Sequence, residues 1–311
     1  MEKFKRKTII ELLKSSREEL IDYYRNLRKF NYENEVPLKG IETRKIIHNL
    51  PLLVVKLDRL LKKEEITILK DERLDTDKPK IYACTHIGGN DIERAFEAIK
   101  EHCYLFLGDP GVTYKTPTGL LLYLNGTISL ETRDKTDRRI AKSMAIELLK
   151  SKGDLLIFPE GAWNITENLP VMKLFTGTVE MAIESGAEII PIAIEQVEKN
   201  FYVSIGENIN YTNYNINQKK ELTDELRDVL CTLIWEIWEH LGYFKRKEIS
   251  QEFKENYVQS IIDKCDLGYT AQDVLETKFK DKNVVEYDEV FSFEKKLKLS
   301  RNNAFLLKKR K

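Results

Sequence analysis

Four short stretches carry residue types that could do chemistry. The first reads Thr85-His86-Ile87-Gly88-Gly89-Asn90-Asp91. An imidazole and a carboxylate five positions apart, with two glycines between them, can face each other across a tight turn. Asp91 would accept the Nδ1 hydrogen of His86 and leave Nε2 free to take a proton from an alcohol. The plainer reading makes Asn90 or Asp91 a helix N-cap and His86 a strand-end residue. The second stretch is Ile157-Phe158-Pro159-Glu160-Gly161-Ala162-Trp163. There Glu160 offers a carboxylate to substrate hydroxyls, and Gly161 lets substrate approach the backbone. Its plain reading is a Pro-Glu-Gly turn. The third, Gly126 to Arg133, ends in a guanidinium suited to a phosphate. It can equally be a solvated arginine of the charged run Arg133–Arg139. In the fourth, Ile189 to Ile194, Pro191 removes an amide donor and shapes a wall.

These residues need a scaffold that gathers strand ends. Ile81–Thr85, Tyr104–Leu107, Thr127–Leu130, Leu155–Phe158, Ile189–Ile194 and Phe201–Ile205 read as strands. Asp91–Lys100, Thr118–Leu124, Arg138–Lys152 and Val179–Glu184 read as helices between them. Such alternation predicts an α/β fold, with a mixed, mainly parallel sheet flanked by helices. Ligands in open sheets of this kind sit beyond the carboxyl ends of the strands. All but the last of the residues above follow a strand.

Around that domain, placed at 71–243, the pattern is helical. An N-terminal helical segment covers 1–70, a small helical appendix 244–290, and a basic tail 291–311. Residues 8–30 show helical spacing, and Leu222–Leu241 has one broad apolar face. Asn49–Lys63 forms a further helix, with Asn49 as N-cap and Pro51 in the first turn. Its stripe of Leu50, Leu53, Leu57 and Leu60 packs on its own domain in the ordinary reading. Against a lipid surface it would be an interfacial helix.

Composition excludes several classes. Among 311 residues, Lys plus Arg equals Asp plus Glu at 51 each, which does not favour a nucleic-acid partner. The balance hides a split: residues 1–80 carry net +5 and residues 291–311 net +7, on an acidic middle of −12. Positive ends on an acidic body suit an anionic membrane surface. The 4 Cys form no CxxC pair, and the 4 His show no HExxH spacing, so no metal site is expected. The N-terminus lacks the uninterrupted apolar run of a signal peptide, and the greasiest stretch, Leu50–Leu61, contains Lys56, Asp58 and Arg59. The expectation is a cytoplasmic protein, peripheral on the cytoplasmic membrane face.

The order of the four stretches carries more than any one of them. An HxxxxD block, a Gly-to-Arg strand, FPEG, and an apolar-Pro-apolar strand resemble the glycerolipid acyltransferase family, the lysophosphatidate acyltransferases and their relatives. The blocks span residues 86–194, and Leu174-Phe175-Thr176-Gly177 is similar to the family's Phe-x-x-Gly element. The resemblance implies transfer of a fatty acyl group from an acyl thioester, acyl-CoA or acyl-ACP, to a hydroxyl of a glycerol-based lysophospholipid, with no bound cofactor. It casts His86 as general base, Asp91 as its orienting partner and Arg133 as the phosphate ligand, with Arg138 in reserve. Glu160 and Gly161 would contact the acceptor, and Pro191 would line the site. Three departures stand out. Gly88 replaces a common Ser, Ala162-Trp163 replace a common Thr-Arg, and the Gly126–Arg133 gap is one residue longer than usual. They leave open a glycolipid or other alcohol acceptor. Two rivals differ in kind: an acyl-enzyme on Cys84, two residues before His86, and a non-enzymatic membrane-surface binding protein.

Overall fold

The structure is a computed structural model. It describes residues 4–108, 111, 114–166, 169–242, 249–250, 252–264 and 268–277. The basic tail therefore lies outside the described residues, as does much of the appendix.

One eight-stranded sheet organises the chain. Its strands are β1 (Glu65–Asp71), β2 (Lys80–Cys84), β3 (Tyr104–Gly108), β4 (Thr127–Leu130), β5 (Leu155–Ile157), β6 (Glu188–Val197), β7 (Asn200–Ile205) and β8 (Ile209–Asn210). Their order is β1-β7-β6-β2-β5-β3-β4, with β8 pairing β6. From β6 to β4 every neighbour is parallel. The short β6–β7 connection reverses the chain, so β7 and β1 run the other way. This is the expected mixed, mainly parallel α/β sheet.

Period-two alternation divides each central strand between two cores. Ile81, Ala83, Leu155, Ile157, Ile189 and Ala193 face one side, under α7 (Lys135–Lys150), α8 (Gly177–Ser185) and α9 (Lys219–Leu241). Tyr82, Cys84, Leu156, Phe158, Ile190 and Ile192 face the other, against Ala95, Phe96 and Ile99 of α5 (Asp91–Ile99). Lys100, left-handed at φ 63°, ends α5.

The N-terminal segment differs from its sequence reading. Residues 8–30 are not one helix. Ser16 caps a new start through a box with Glu19, which splits the run into α1 (Ile9–Lys14) and α2 (Arg17–Glu33). A short α3 (Ile41–Ile47) and α4 (Asn49–Lys62) follow. Asn49 is the first residue of α4 rather than its cap, and His48 before it makes no capping bond. The leucine stripe of α4 is not packed on the domain either. Pro51 and Leu52 are buried, whereas Leu50, Leu53, Val54, Leu57, Leu60 and Leu61 are exposed. Ile46 of α3, and Leu120 and Tyr123 of α6 (Pro117–Asn125), are exposed as well. Where α3 meets α4, His48 is buried against His102, ring centroids 5.4 Å apart.

Past the domain, α10 (Phe253–Ile262) and α11 (Ala271–Thr277) bury Ile261, Ile262 and Val274 against Ile165, with Trp163 and Tyr269 beside them.

Candidate active site

The site begins where β2 ends. Thr85 prolongs the ladder onto β6: its amide donates to the Ile192 carbonyl (3.0 Å), and its hydroxyl accepts from the Ile194 amide (3.0 Å). The next residue, His86, has both backbone groups held. Its amide donates to Glu160 Oε1 (3.0 Å), and its carbonyl accepts from the Asn164 amide (2.6 Å). The imidazole stacks on Phe158, centroids 4.2 Å apart at 29°, and meets the edge of Trp163 at 6.2 Å. Only 7% of His86 is exposed.

Gly88 (φ 84°) and Gly89 (φ 64°) turn the chain into α5 through left-handed conformations that side chains resist. The turn brings Asp91 back to the histidine. Asp91 Oδ2 lies 2.8 Å from His86 Nδ1 and accepts from the amides of Ile87 and Gly88, each at 2.8 Å. The other oxygen, Oδ1, is buried with no hydrogen-bond partner. A carboxylate at the first position of a helix also sits in the favourable end of its dipole. An Nδ1-held imidazole presents Nε2 as the proton acceptor. The expected pairing across the turn is therefore the arrangement the structure holds.

Glu160 lies elsewhere than expected for a group that touches substrate. It is 0% exposed. Oε1 holds the His86 amide, and Oε2 accepts from the Met172 amide at 2.7 Å. It ties the end of β2 to the loop after β5. Gly161 (φ 71°) closes that turn, with its amide donating to the Phe158 carbonyl, and Phe175 covers its Cα. Arg227 of α9 donates to the carbonyls of Val171 and Met172 and fixes the far side of the loop.

Arg133 and Pro191 are not brought against His86. Asp134 caps α7 behind Arg133, and buried Arg28 of α2 grips Asp137, which also holds the Glu131 amide. On this anchored turn the Arg133 side chain is 68% exposed, 3.7 Å from the Glu276 carboxylate of α11. Arg138 donates to the Thr132 carbonyl. Pro191 sits inside β6 opposite Ala83, on the α9 side of the sheet, with its ring against Gly206. His86 stacks on the α5 side. Cys84 is fully buried, and burial together with Asp91 and Glu160 pushes its thiol well above the ordinary range. A thiolate nucleophile is not available there.

Sequence reasoning missed Asn164, Trp163 as an aromatic neighbour of the base, and the covering by α10. A Cβ on Gly88 would stand 3.2 Å from Ile261, and one on Gly89 3.2 Å from Lys264. No pattern within the strand–loop blocks points to a helix so far along the chain. A separate cleft of about 630 Å³ opens at the other ends of the strands, lined by Asp71, Arg73, Lys80, Tyr82 and Glu101. Its Arg73 and Lys80 are engaged by Asp71 and Glu101, and it holds no imidazole. Among the described residues, no group of three or more His, Cys, Asp or Glu side chains could hold a metal ion.

Residues 65–195 match the model of the Acyltransferase family. No curated protein sequence matches the chain. Among solved structures, the chain resembles the crystal structure of the 1-acyl-sn-glycerophosphate (LPA) acyltransferase PlsC from Thermotoga maritima. The two share 17% identity and a TM-score of 0.52, over 72% of this chain and 91% of that one. The matched segment runs from β1 into β6 and contains the whole His86–Asp91 turn, so the part of the chain that holds the candidate site is the part that is similar to the Acyltransferase family.

Proposed function

We propose that the protein transfers a fatty acyl group from acyl-CoA or acyl-ACP to a free hydroxyl of a glycerol-based lysophospholipid. The observation that carries this reading is the 2.8 Å contact between His86 Nδ1 and Asp91, in a buried imidazole at the strand ends of an acyltransferase domain. Nε2 takes the acceptor's hydroxyl proton while the oxygen attacks the thioester carbonyl carbon. The Asp91 charge steadies the imidazolium. Collapse of the tetrahedral intermediate breaks the C–S bond, and the imidazolium returns the proton to the departing sulfur. Glu160 acts in this scheme through the His86 backbone, as a positioning residue, and Gly161 makes the turn that lets Phe175 close over the loop. Arg133, exposed at a strand end, receives the acceptor phosphate in preference to Arg138. Pro191 stiffens β6 on the face away from the imidazole.

The acceptor reaches the site from a lipid surface. No helix among the described residues is long and apolar enough to cross a membrane. The exposed leucines of α4, with Ile46, Leu120 and Tyr123, instead form an apolar face of the interfacial kind, flanked by Lys45, Lys56, Lys62 and Lys63.

The test is an assay with acyl-CoA and lysophosphatidate, read by product mass. His86→Ala should lower kcat by about 10²–10⁴-fold with the fold intact. A loss under tenfold rules out the base. Arg133→Ala should raise the acceptor KM roughly 10–100-fold and leave the donor KM near wild type. Equal effects on both substrates favour an uncharged acceptor such as a glycolipid.

A further inference from the structure

The helix that carries the exposed leucines and the helix that begins at Asp91 are joined by an ionic seam, buried at Arg94, Glu64 and Glu97 and open to solvent at Asp58 and Lys62. Arg94, one turn beyond Asp91, has a side chain that is 0% exposed. Its guanidinium bonds Glu64 Oε2 through Nε (2.9 Å) and Glu97 Oε1 (2.6 Å), and lies 3.3 Å from Asp58 of α4. Glu97 in turn accepts from Arg59 of α4 at 3.0 Å. Asn90, the residue before Asp91, donates to Glu64 Oε1 (2.9 Å) and accepts from Lys62, the last residue of α4 (3.2 Å). Three cations (Arg59, Lys62, Arg94) meet three carboxylates (Asp58, Glu64, Glu97), so the seam is neutral. The opposite face of α4 is the apolar one.

At its buried Arg94–Glu64–Glu97 end such a seam is poor as a source of stability, since apolar packing of the same volume does as well or better. What it supplies is geometry. An apolar contact tolerates sliding, whereas forked ion pairs break when one helix tilts. Asp91 needs such a reference. Three donors converge on its Oδ2, while Oδ1 is buried and unpartnered. No bond on the second oxygen fixes the carboxylate, so its aim depends on where α5 starts.

We infer that Glu64, Asn90 and Arg94 are positioning residues that set the His86–Asp91 turn from the seat of helix α4, so that docking α4 on lipid and aligning the catalytic pair are coupled. This rests on the acyl-transfer reading above.

The test uses the full chain, Asn90→Ala and Glu64→Gln, with vesicles of equimolar phosphatidylglycerol and phosphatidylcholine. Activity is measured on lysophosphatidate in the vesicles and on a water-soluble short-chain lysophosphatidate. Both variants should stay folded and lose about 10–100-fold in kcat on vesicles, as expected for a small misplacement of the reacting groups. The acceptor KM should hold, and the pH profile of kcat/KM should shift. Arg94→Lys should keep the fold and only part of the activity, since a point charge cannot hold three carboxylates. A second readout does not need turnover. Vesicles should slow amide exchange at Ile87 and Gly88, which donate to Asp91, in the wild type and not in Asn90→Ala. A variant that loses melting temperature but keeps kcat, pH profile and vesicle-induced protection overturns the inference. Absence of acyl transfer by the wild type would defeat the acyl-transfer reading instead, and the exchange measurement would still decide the coupling.

Discussion

Replacing Asp91 by Asn separates a catalytic role from a structural one. The carboxylate makes three charge-assisted hydrogen bonds through one oxygen, to His86 Nδ1 and to the amides of Ile87 and Gly88. An amide oxygen in the same place keeps all three, and its NH2 falls where Oδ1 now lies without a partner. Shape is retained and charge is lost. Bonds to a charged group contribute about 1.5–3 kcal/mol and neutral ones about 0.5–1.5, so stability should fall by roughly 2–4 kcal/mol over the three. Asp91→Ala is the wrong probe, because two amides and an imidazole nitrogen would be left buried and unmet, at about 1–3 kcal/mol each. Catalysis should suffer separately. The imidazolium that forms in the transition state loses its counter-charge 2.8 Å away, and kcat should drop by at least the 10–100-fold that about 1.5–3 kcal/mol represents. The assay is kcat against pH beside a melting curve, with a second measurement in the Asp91→Asn/His86→Ala double variant. Residues that act as a unit lose no more together than the worse one loses alone. If Asp91→Asn lowers melting temperature while kcat stays within threefold, Asp91 is only the fastener of a turn, and the base works without it.

Cys84→Ala should leave kcat within about twofold, because a thiol raised this far by burial is packing rather than chemistry; a loss near that of His86→Ala would restore the acyl-enzyme. Asp154→Asn should stabilise the protein at neutral pH. Burial lifts the Asp154 carboxyl to about 6, above its unfolded value of 3.8, so the folded state is penalised as pH rises through that window and fully above it. The gain should be on the order of 1–3 kcal/mol at pH 7, vanish below about pH 4, and appear in melting curves at the two pH values. His48 and His102 are both held below the ordinary imidazole range by burial, with Lys56 acting on His48 and Lys45 and Arg44 on His102. The sign is the reverse of a salt-bridged histidine. Stability is whole above the unfolded value near 6.5 and is lost as pH falls below it. His48→Gln/His102→Gln should flatten the decline in melting temperature from pH 7 to pH 5; an unchanged slope refutes the assignment.

The parallel half of the sheet was legible because β2, β3, β4, β5 and β6 are short apolar runs with turn residues at their ends, and both sheet faces are covered. β1 was not. Glu65–Asp71 is a charged edge strand whose pairing with β7 is decided by a contact 135 residues away in the chain. The stripe on α4 was visible as a stripe, but periodicity names a face and not what covers it. In the site, local chemistry was readable and distant chemistry was not. His86 and Asp91 are joined by a five-residue turn, whereas the partners of Glu160 depend on how two loops meet. A carboxylate after a strand reads the same whether it awaits a substrate or is filled by two amides.

The tight fit above Gly88 ties two of the departures from the family pattern to each other. A Cβ at that position would lie 3.0 Å from Trp163 Cδ2 and 3.2 Å from Ile261 Cγ2. A Ser at 88 would press on this Trp, and the indole or Ile261 would have to give by a few tenths of an ångström. Substitutions at the two positions are therefore coupled: a side chain added at 88 should be better tolerated once the indole at 163 is removed. Grafting the usual Thr-Arg back at 162–163 without touching Gly88 would leave a void where the indole now sits. Recombination between this lineage and its relatives should succeed when a crossover carries both loops in one block and fail when it falls between them.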